Sequence, residues 1–233
     1  MLVQKKTVGS CAFLGGLPAI LTEFAWSWSQ MVDFNREWLL KPNERIKYMK
    51  SDVSFHQAAR NGLAEDMRGE WLFMLDTDHT FSPDILARML RIMNQYDCEV
   101  LSGLYQYKVY PYTPVAHLWS EEAQAFLLIA KYPDTEVFPV DGGGAGCLLV
   151  RRTVFERIWL ELHEQPFECL PMKNDPMNKN FGEDMSFFLR CKKLGIPVMY
   201  APGIRANHLR TAPVTMEDYK LDDLPRRKYV PST

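Results

Sequence analysis

Hydrophobic positions follow two rhythms that alternate along the chain: short unbroken runs, and stripes spaced three or four residues apart. The plainest run, Trp71-Leu72-Phe73-Met74-Leu75, predicts a strand buried on both faces of a central sheet. Thr7 to Phe13, Ile46 to Met49, Glu99 to Tyr107, Val115 to Leu118 and Cys147 to Val150 read as further strands, as do Val198 to Ala201 and Ile204 to His208. Between them lie helical stripes. Ile20, Leu21, Phe24 and Trp28 follow the turn Gly15-Gly16-Leu17-Pro18, and Ala59, Leu63 and Met67 belong to a helix starting near Ser51. A third stripe is Ile85, Leu86, Met89, Ile92 and Met93, for which Ser82 suits the N-cap, Pro83 the first position and Asp84 the dipole. Two more helices run from Thr153 through Leu162 and from about Glu183 to Leu194, the latter ended by Gly195.

Strands alternating with helices imply an α/β sandwich with a largely parallel sheet. One domain is expected over residues 1–210. From Thr211 the chain turns polar and carries Arg226-Arg227-Lys228, which predicts a tail, 211–233, that packs on the domain or straps it. His163 to Phe181, with Pro166, Pro171 and Pro176, reads as a loop of the length reserved for lids and binding segments.

Composition narrows the function classes. With 233 residues and a 47% hydrophobic share, the chain can fill a sizeable core, so disorder is excluded as its main state. The formal charge of −2 argues against a protein that coats nucleic acid, although a local basic groove stays open. Five cysteines without a C-x-x-C pair read as reduced thiols, not as a zinc site or disulfide framework. The apolar stretch after Lys5-Lys6 is broken by Gly15, Gly16 and Pro18, and no run reaches membrane-spanning length. A soluble, cytoplasmic protein is expected.

Five groups of residues carry candidate chemistry. Asp76-Thr77-Asp78 puts two carboxylates at the carboxyl end of the buried strand, where open α/β sheets bind ligands. Hard oxygen donors there suit Mg²⁺ or Mn²⁺ shared with a substrate phosphate; the bland alternative, a helix cap, is already supplied by Ser82-Pro83. In Gly182-Glu183-Asp184, Glu183 suits the helix dipole, while Asp184 shares a face with Phe187, Phe188 and Cys191. A carboxyl against apolar neighbours has a raised pKa and can serve as a general base. His208 ends the last strand and matters only if the fold brings it to Asp78. His79 competes for that role, but neighbouring side chains on a strand face opposite ways. The run Asp141-Gly142-Gly143-Gly144-Ala145-Gly146 allows close backbone approach without being a phosphate-binding loop of either common type. Arg60, in Ala59-Arg60-Asn61, is either a phosphate partner or a solvated helix residue.

In this order the five groups resemble the GT-A fold glycosyltransferases, specifically the family 2-like enzymes of bacteria and phages, over roughly residues 7 to 208. The resemblance implies a three-layer α/β/α sandwich with a mainly parallel central sheet, and transfer of a sugar from a nucleotide-diphosphate donor, UDP-sugar favoured, to an acceptor hydroxyl. It implies that Asp78, with Asp76 and His208, holds Mn²⁺ or Mg²⁺, and that Arg60, Asp76 and Asp78 bind the donor. It places Gly143, Gly144, Glu183 and Trp119 on the acceptor side and makes Asp184 the base of an inverting reaction. Asp52 is the candidate for the family's uracil-contacting acid, whereas Gly9-Ser10-Cys11-Ala12-Phe13 departs from the family's proline-threonine type of opening.

Rival assignments remain at this level. Asp76-Thr77-Asp78-His79-Thr80 also matches the nucleophile motif of haloacid-dehalogenase-like phosphatases, though two strands precede it here. A non-catalytic sugar-nucleotide-binding module would need no base at Asp184. Trp119, Tyr105, Tyr107, Tyr110 and Tyr112 offer a stacking platform or simple packing. A glycan, lipid-linked sugar or small molecule ranks ahead of DNA as acceptor; for DNA, with a hydroxymethylpyrimidine as the target base, Arg151-Arg152 and Arg226-Arg227-Lys228 would be the phosphate contacts.

Overall fold

The computed structural model describes residues 5–16, 20–129, 131–172, 177 and 179–210. Leu17 and Pro18 of the expected turn, Pro176, and the expected tail with Arg226-Arg227-Lys228 lie outside the described residues.

The elements in chain order are β1 (Lys6–Leu14), α1 (Thr22–Phe34), β2 (Glu44–Ser51), α2 (His56–Asp66), β3 (Trp71–Leu75), β4 (His79–Phe81), α3 (Ile85–Gln95) and β5 (Val100–Leu104). They continue as β6 (His117–Ser120), β7 (Ala125–Leu128), β8 (Phe138–Val140), β9 (Cys147–Arg151), α4 (Arg152–Arg157), α5 (Glu183–Lys193) and β10 (Val198–His208). Two π-helical turns, Asn35–Leu39 and Ile158–Leu162, extend α1 and α4.

The main sheet has the order β2-β1-β3-β9-β5-β10-β4, with β8 also on β10. β1 pairs in parallel with β2 and β3, and β10 in parallel with β5, while β9 runs against both β3 and β5. Hence β1, β2, β3, β5 and β10 share one direction, and only β4, β8 and β9 oppose it. β3 and β5 are buried at every residue, as their unbroken apolar character requires. One core joins the sheet to α2, α4 and α5 through Leu63, Phe155, Phe187 and Phe188; the other joins it to α1 and α3 through Phe24, Met31, Leu86 and Met89. These are the three layers of an α/β/α sandwich.

Several local expectations shift. α3 begins at Ile85 with Asp84 at its N-cap position, and the Ser82 hydroxyl donates to Asp84 Oδ1 (2.6 Å) instead of capping the helix. The two strands expected at the end are one, β10, with a register break between Ala201 and Arg205 where Pro202-Gly203 interrupts the ladder. The strand expected to reach Tyr107 stops at Leu104, and β4, β7 and β8 were not anticipated. The described part of 163–181 has neither helix nor strand. Buried Arg190 ties it down, donating to Glu164 (2.8 Å) and to the Glu168 carbonyl (2.7 Å).

Candidate active site

β1 is flanked by β2 on one side and β3 on the other, so successive crossovers leave it in opposite directions and open a crevice at the carboxyl edge. A cavity of ≈ 110 Å³ occupies that crevice, lined by Leu14, Val53, His56, Asp76, Thr77 and Asp78 among others. The triplet after β3 therefore sits where this topology binds ligands. Asp52, beside the crevice, is exposed and accepts from Lys50 Nζ (2.7 Å).

Beyond Asp76 the chain turns at Thr77–Asp78 and returns as β4, antiparallel to β10. His79 lies directly opposite His208 in that pair. Because Asp78 belongs to the turn and not to a strand, strand alternation does not separate it from His79, and the competition expected between the two histidines disappears. Asp78 Oδ1 is 3.1 Å from His79 Nδ1 and 3.5 Å from His208 Nε2. The three residues offer ligand atoms within 4.8 Å of one another. His208 Nδ1 is 2.6 Å from the Gln106 carbonyl; a proton donated there leaves the lone pair of Nε2 facing Asp78. Asp78 Oδ1 and both ring nitrogens of His79 are buried without an aligned hydrogen bond. Buried polar atoms converging unpaired fit a divalent cation, for which two imidazoles and one carboxylate are suitable donors.

Burial pushes the Asp78 carboxyl up, but His208, His79 and the Lys108 ammonium outweigh it and hold the group well below the usual carboxylate range. Lys108 contacts Asp78 Oδ2 from the loop after β5. Nothing in its sequence surroundings marks it.

Asp76 is not drawn into this cluster. Arg60, only 3% exposed on α2, donates from Nη2 to Asp76 Oδ1 (2.8 Å) and from Nη1 to the Ala145 carbonyl (3.1 Å). Its Nε reaches Glu183 Oε1 at 3.4 Å. Arg60 is thus a buried link joining the strand carboxylate, the glycine run and the start of α5, which overturns the reading of it as a solvated helix residue. Glu183, expected on the acceptor side, packs against Arg60 and lies 3.9 Å from His56.

The glycine run reaches this edge because β9 is reversed: Leu75 is opposite Cys147, and Asp76 N–H donates to the Gly146 carbonyl (3.1 Å). Gly143 and Gly144 are both buried there. A Cβ on Gly144 would lie 1.5 Å from Tyr105 Oη, and one on Gly146 would lie 2.8 Å from Asp76 Oδ2. The absence of side chains lets this backbone form the floor beneath the carboxylates.

Asp184, in the first turn of α5, is half-buried and accepts from the Met185 N–H (2.7 Å). Burial and then the Glu183 charge push its carboxyl up to about 6, against the pull of the Met185 N–H and of Arg60. The same carboxylate raises Tyr107, after burial, and the Tyr107 hydroxyl is 3.2 Å from His117 Nε2. Trp119 projects from the β6–β7 hairpin toward Phe181, with ring centroids 6.0 Å apart.

A family profile described as glycosyl transferase family 2 matches residues 32–159, more than half of the chain. No curated protein matches it in sequence. Among solved structures, A197 from STIV superposes with a TM-score of 0.52 at 15% identity, covering 88% of this chain and 86% of that one. GalNAc-T7, solved with UDP, GalNAc and Mn²⁺, superposes with a TM-score of 0.59 at 12% identity, covering 98% of this chain and 46% of that one, so this chain spans under half of its length. Both likenesses carry the GT-A arrangement of the sheet. In the phosphatase alternative Asp76 would be a free nucleophile on the first strand; here it is bonded to Arg60 and follows the third. By its profile match and by the architecture that surrounds the crevice, the chain belongs to glycosyl transferase family 2 and is a glycosyltransferase.

Proposed function

We propose that the enzyme moves a sugar from a nucleotide-diphosphate donor, a UDP-sugar by preference, to an acceptor hydroxyl with inversion. The observation that carries this is a juxtaposition. The Asp78–His79–His208 group and the Asp184 carboxyl, pushed up to about 6, are joined through their chain neighbours Asp76 and Glu183, which share Arg60. Asp78, His79 and His208 hold a divalent cation, Mn²⁺ in preference to Mg²⁺, and Gln106 fixes the His208 tautomer. A cation bound there supplies positive charge to offset that of the departing diphosphate.

The remaining roles fall to the chain's own side chains. The cavity at the ends of β1, β2 and β3 takes the nucleotide, and Arg60 keeps Asp76 aligned at its wall. Asp184 removes the proton from the acceptor hydroxyl as the oxygen attacks the anomeric carbon, and the bond to the diphosphate breaks on the opposite side. Near neutral pH a carboxyl with a pKa of about 6 is ionised and still basic enough to assist. The presence of UDP and Mn²⁺ in the GalNAc-T7 structure supports the choice of donor and ion. On net charge the acceptor is a glycan, lipid-linked sugar or small molecule before it is DNA. No described helix is long and apolar enough to cross a membrane, and five free thiols favour a reducing, cytoplasmic setting.

Calorimetric titration with UDP, GDP, dTDP and CDP, each with and without Mn²⁺, tests the donor assignment. UDP binding that requires the metal is expected. Equal binding with and without metal would remove the triad from the donor site, and no nucleotide binding at all would overturn the assignment.

A further inference from the structure

A second cavity, ≈ 390 Å³, shares no lining residue with the crevice. Its walls are Trp119, Phe181, Leu170, Pro171 and Leu189. Trp119 is opposite Phe126 in the β6–β7 register, so both rings leave the hairpin on one face, and their centroids are 5.1 Å apart. Phe126 in turn meets Phe181 at 5.9 Å, which ties the hairpin to the segment entering α5. A volume of this size is within the range of small-molecule sites, about 300–1,000 Å³, and such sites are commonly apolar with a few polar groups at the rim.

The wall reaches the proton acceptor through Phe181, which directly precedes Gly182-Glu183-Asp184; Leu189, on the same helix, lies about 7–8 Å farther along the axis and about 140° around it. A Cβ on Gly142 would meet the Phe126 ring at 2.8 Å and Met185 Sδ at 3.3 Å, so the hairpin ring and the residue after Asp184 pack closely on the same stretch of backbone.

The rim decides the charge of the occupant. Lys192 Nζ is 3.2 Å from Asp141 and 3.9 Å from Glu121, and Lys193 Nζ is 3.2 Å from Glu164. The two ammonium groups among the described lining residues are already paired with carboxylates, so neither is a free partner for a phosphate.

We infer that this cavity is the aglycone subsite of the acceptor, taking a neutral, apolar, ring-bearing group attached to the sugar whose hydroxyl is presented to Asp184. This rests on the transferase chemistry proposed above and adds the class of acceptor. Aromatic walls and a proline suit the faces and edges of a ring, and the neutralised rim disfavours lipid phosphates and nucleic acid.

Ligand-observed NMR titration of the full chain with methyl β-glucoside, phenyl β-glucoside and dodecyl phosphate tests the inference, alongside titration with UDP and Mn²⁺. Phenyl glucoside should bind about tenfold tighter than methyl glucoside, a modest return for burying one ring. Leu189→Glu and Trp119→Ala should each erase that difference while leaving UDP affinity within about twofold, because neither residue lines the nucleotide crevice. Leu189 is only partly buried, so its variant keeps the test usable if Trp119→Ala fails to fold. Equal binding of the two glucosides, tighter binding of dodecyl phosphate, or a phenyl preference that survives in Leu189→Glu would each overturn the aglycone assignment. Failure of UDP to bind the unaltered chain would instead strike the donor assignment, and the glucoside comparison would still decide the aglycone question.

Discussion

His79 and His208 face each other across the β4–β10 pair with ring centroids 4.2 Å apart and planes within 17° of parallel. In the proposed cation site both imidazoles and the Asp78 carboxylate contribute a ligand atom each. His79→Ala and His208→Ala should each weaken Mn²⁺ binding by about 10–100-fold, and Asp78→Asn by at least as much. Electron paramagnetic resonance titration of free Mn²⁺ measures this directly. Unchanged affinity in all three variants would remove the cluster as a cation site.

Replacing Asp184 separates binding from chemistry. Asp184→Asn should keep UDP affinity within about twofold and lower the transfer rate by ~10²-fold or more, the usual scale of a general-base contribution. Rates of donor-to-acceptor transfer and calorimetry on the same preparation check both halves. Transfer at the normal rate would end the base assignment.

The same carboxyl predicts opposite pH effects on activity and on stability. A base must be ionised, so transfer should fall about tenfold for each pH unit below about 6. For stability the sign reverses, because the folded-state pKa lies above the unfolded one. The stabilisation of the protonated carboxyl is complete below about pH 4 and is lost as pH rises through about 6. Asp184→Asn should therefore stabilise the fold at pH 8, by on the order of 1–2 kcal/mol, and have little effect at pH 4. Urea midpoints at the two pH values test this.

Arg60 couples the two halves of the crevice. Arg60→Met leaves Asp76 and Glu183 without their buried partner and should cost about 3–5 kcal/mol of stability. Since Arg60 draws the Asp184 pKa down, the acid limb of the pH–rate profile should also move to higher pH. A purely structural Arg60 would lower stability and leave the limb in place.

Gly144→Ala tests the floor. Its new methyl would meet the buried Tyr105 ring, and overpacking of this kind should cost about 1–3 kcal/mol. Thermal unfolding provides the measure; a neutral outcome would show that the Tyr105 side chain moves aside freely.

Much of this architecture was legible from residue types, for identifiable reasons. Trp71–Leu75 stands out because a strand covered on both faces has no polar position to interrupt it, and Asp76-Thr77-Asp78 is read from where that strand ends. β4, β7 and β8 escape notice because each has only three or four residues, too few to establish a period against a mixed background. Ser82 looked like a cap because its neighbours are those of a cap, yet its hydroxyl bonds to the Asp84 side chain. Long-range pairings left no local trace: Glu183 reaches Arg60 across 123 residues, and Lys108 reaches Asp78 across 30. The inward face of Asp184 was readable because Phe187, Phe188 and Cys191 set the buried side of its helix.

The reversed course of β9 has a consequence for motion. Because that strand enters the sheet at the carboxyl edge, residues 142–146 are held at once by the Leu75–Cys147 register and by the Asp76–Gly146 bond. A shift of that backbone would have to drag a central strand with it, which stiffens this rim. That side of the crevice works as a fixed datum from which the Asp76 carboxylate is positioned.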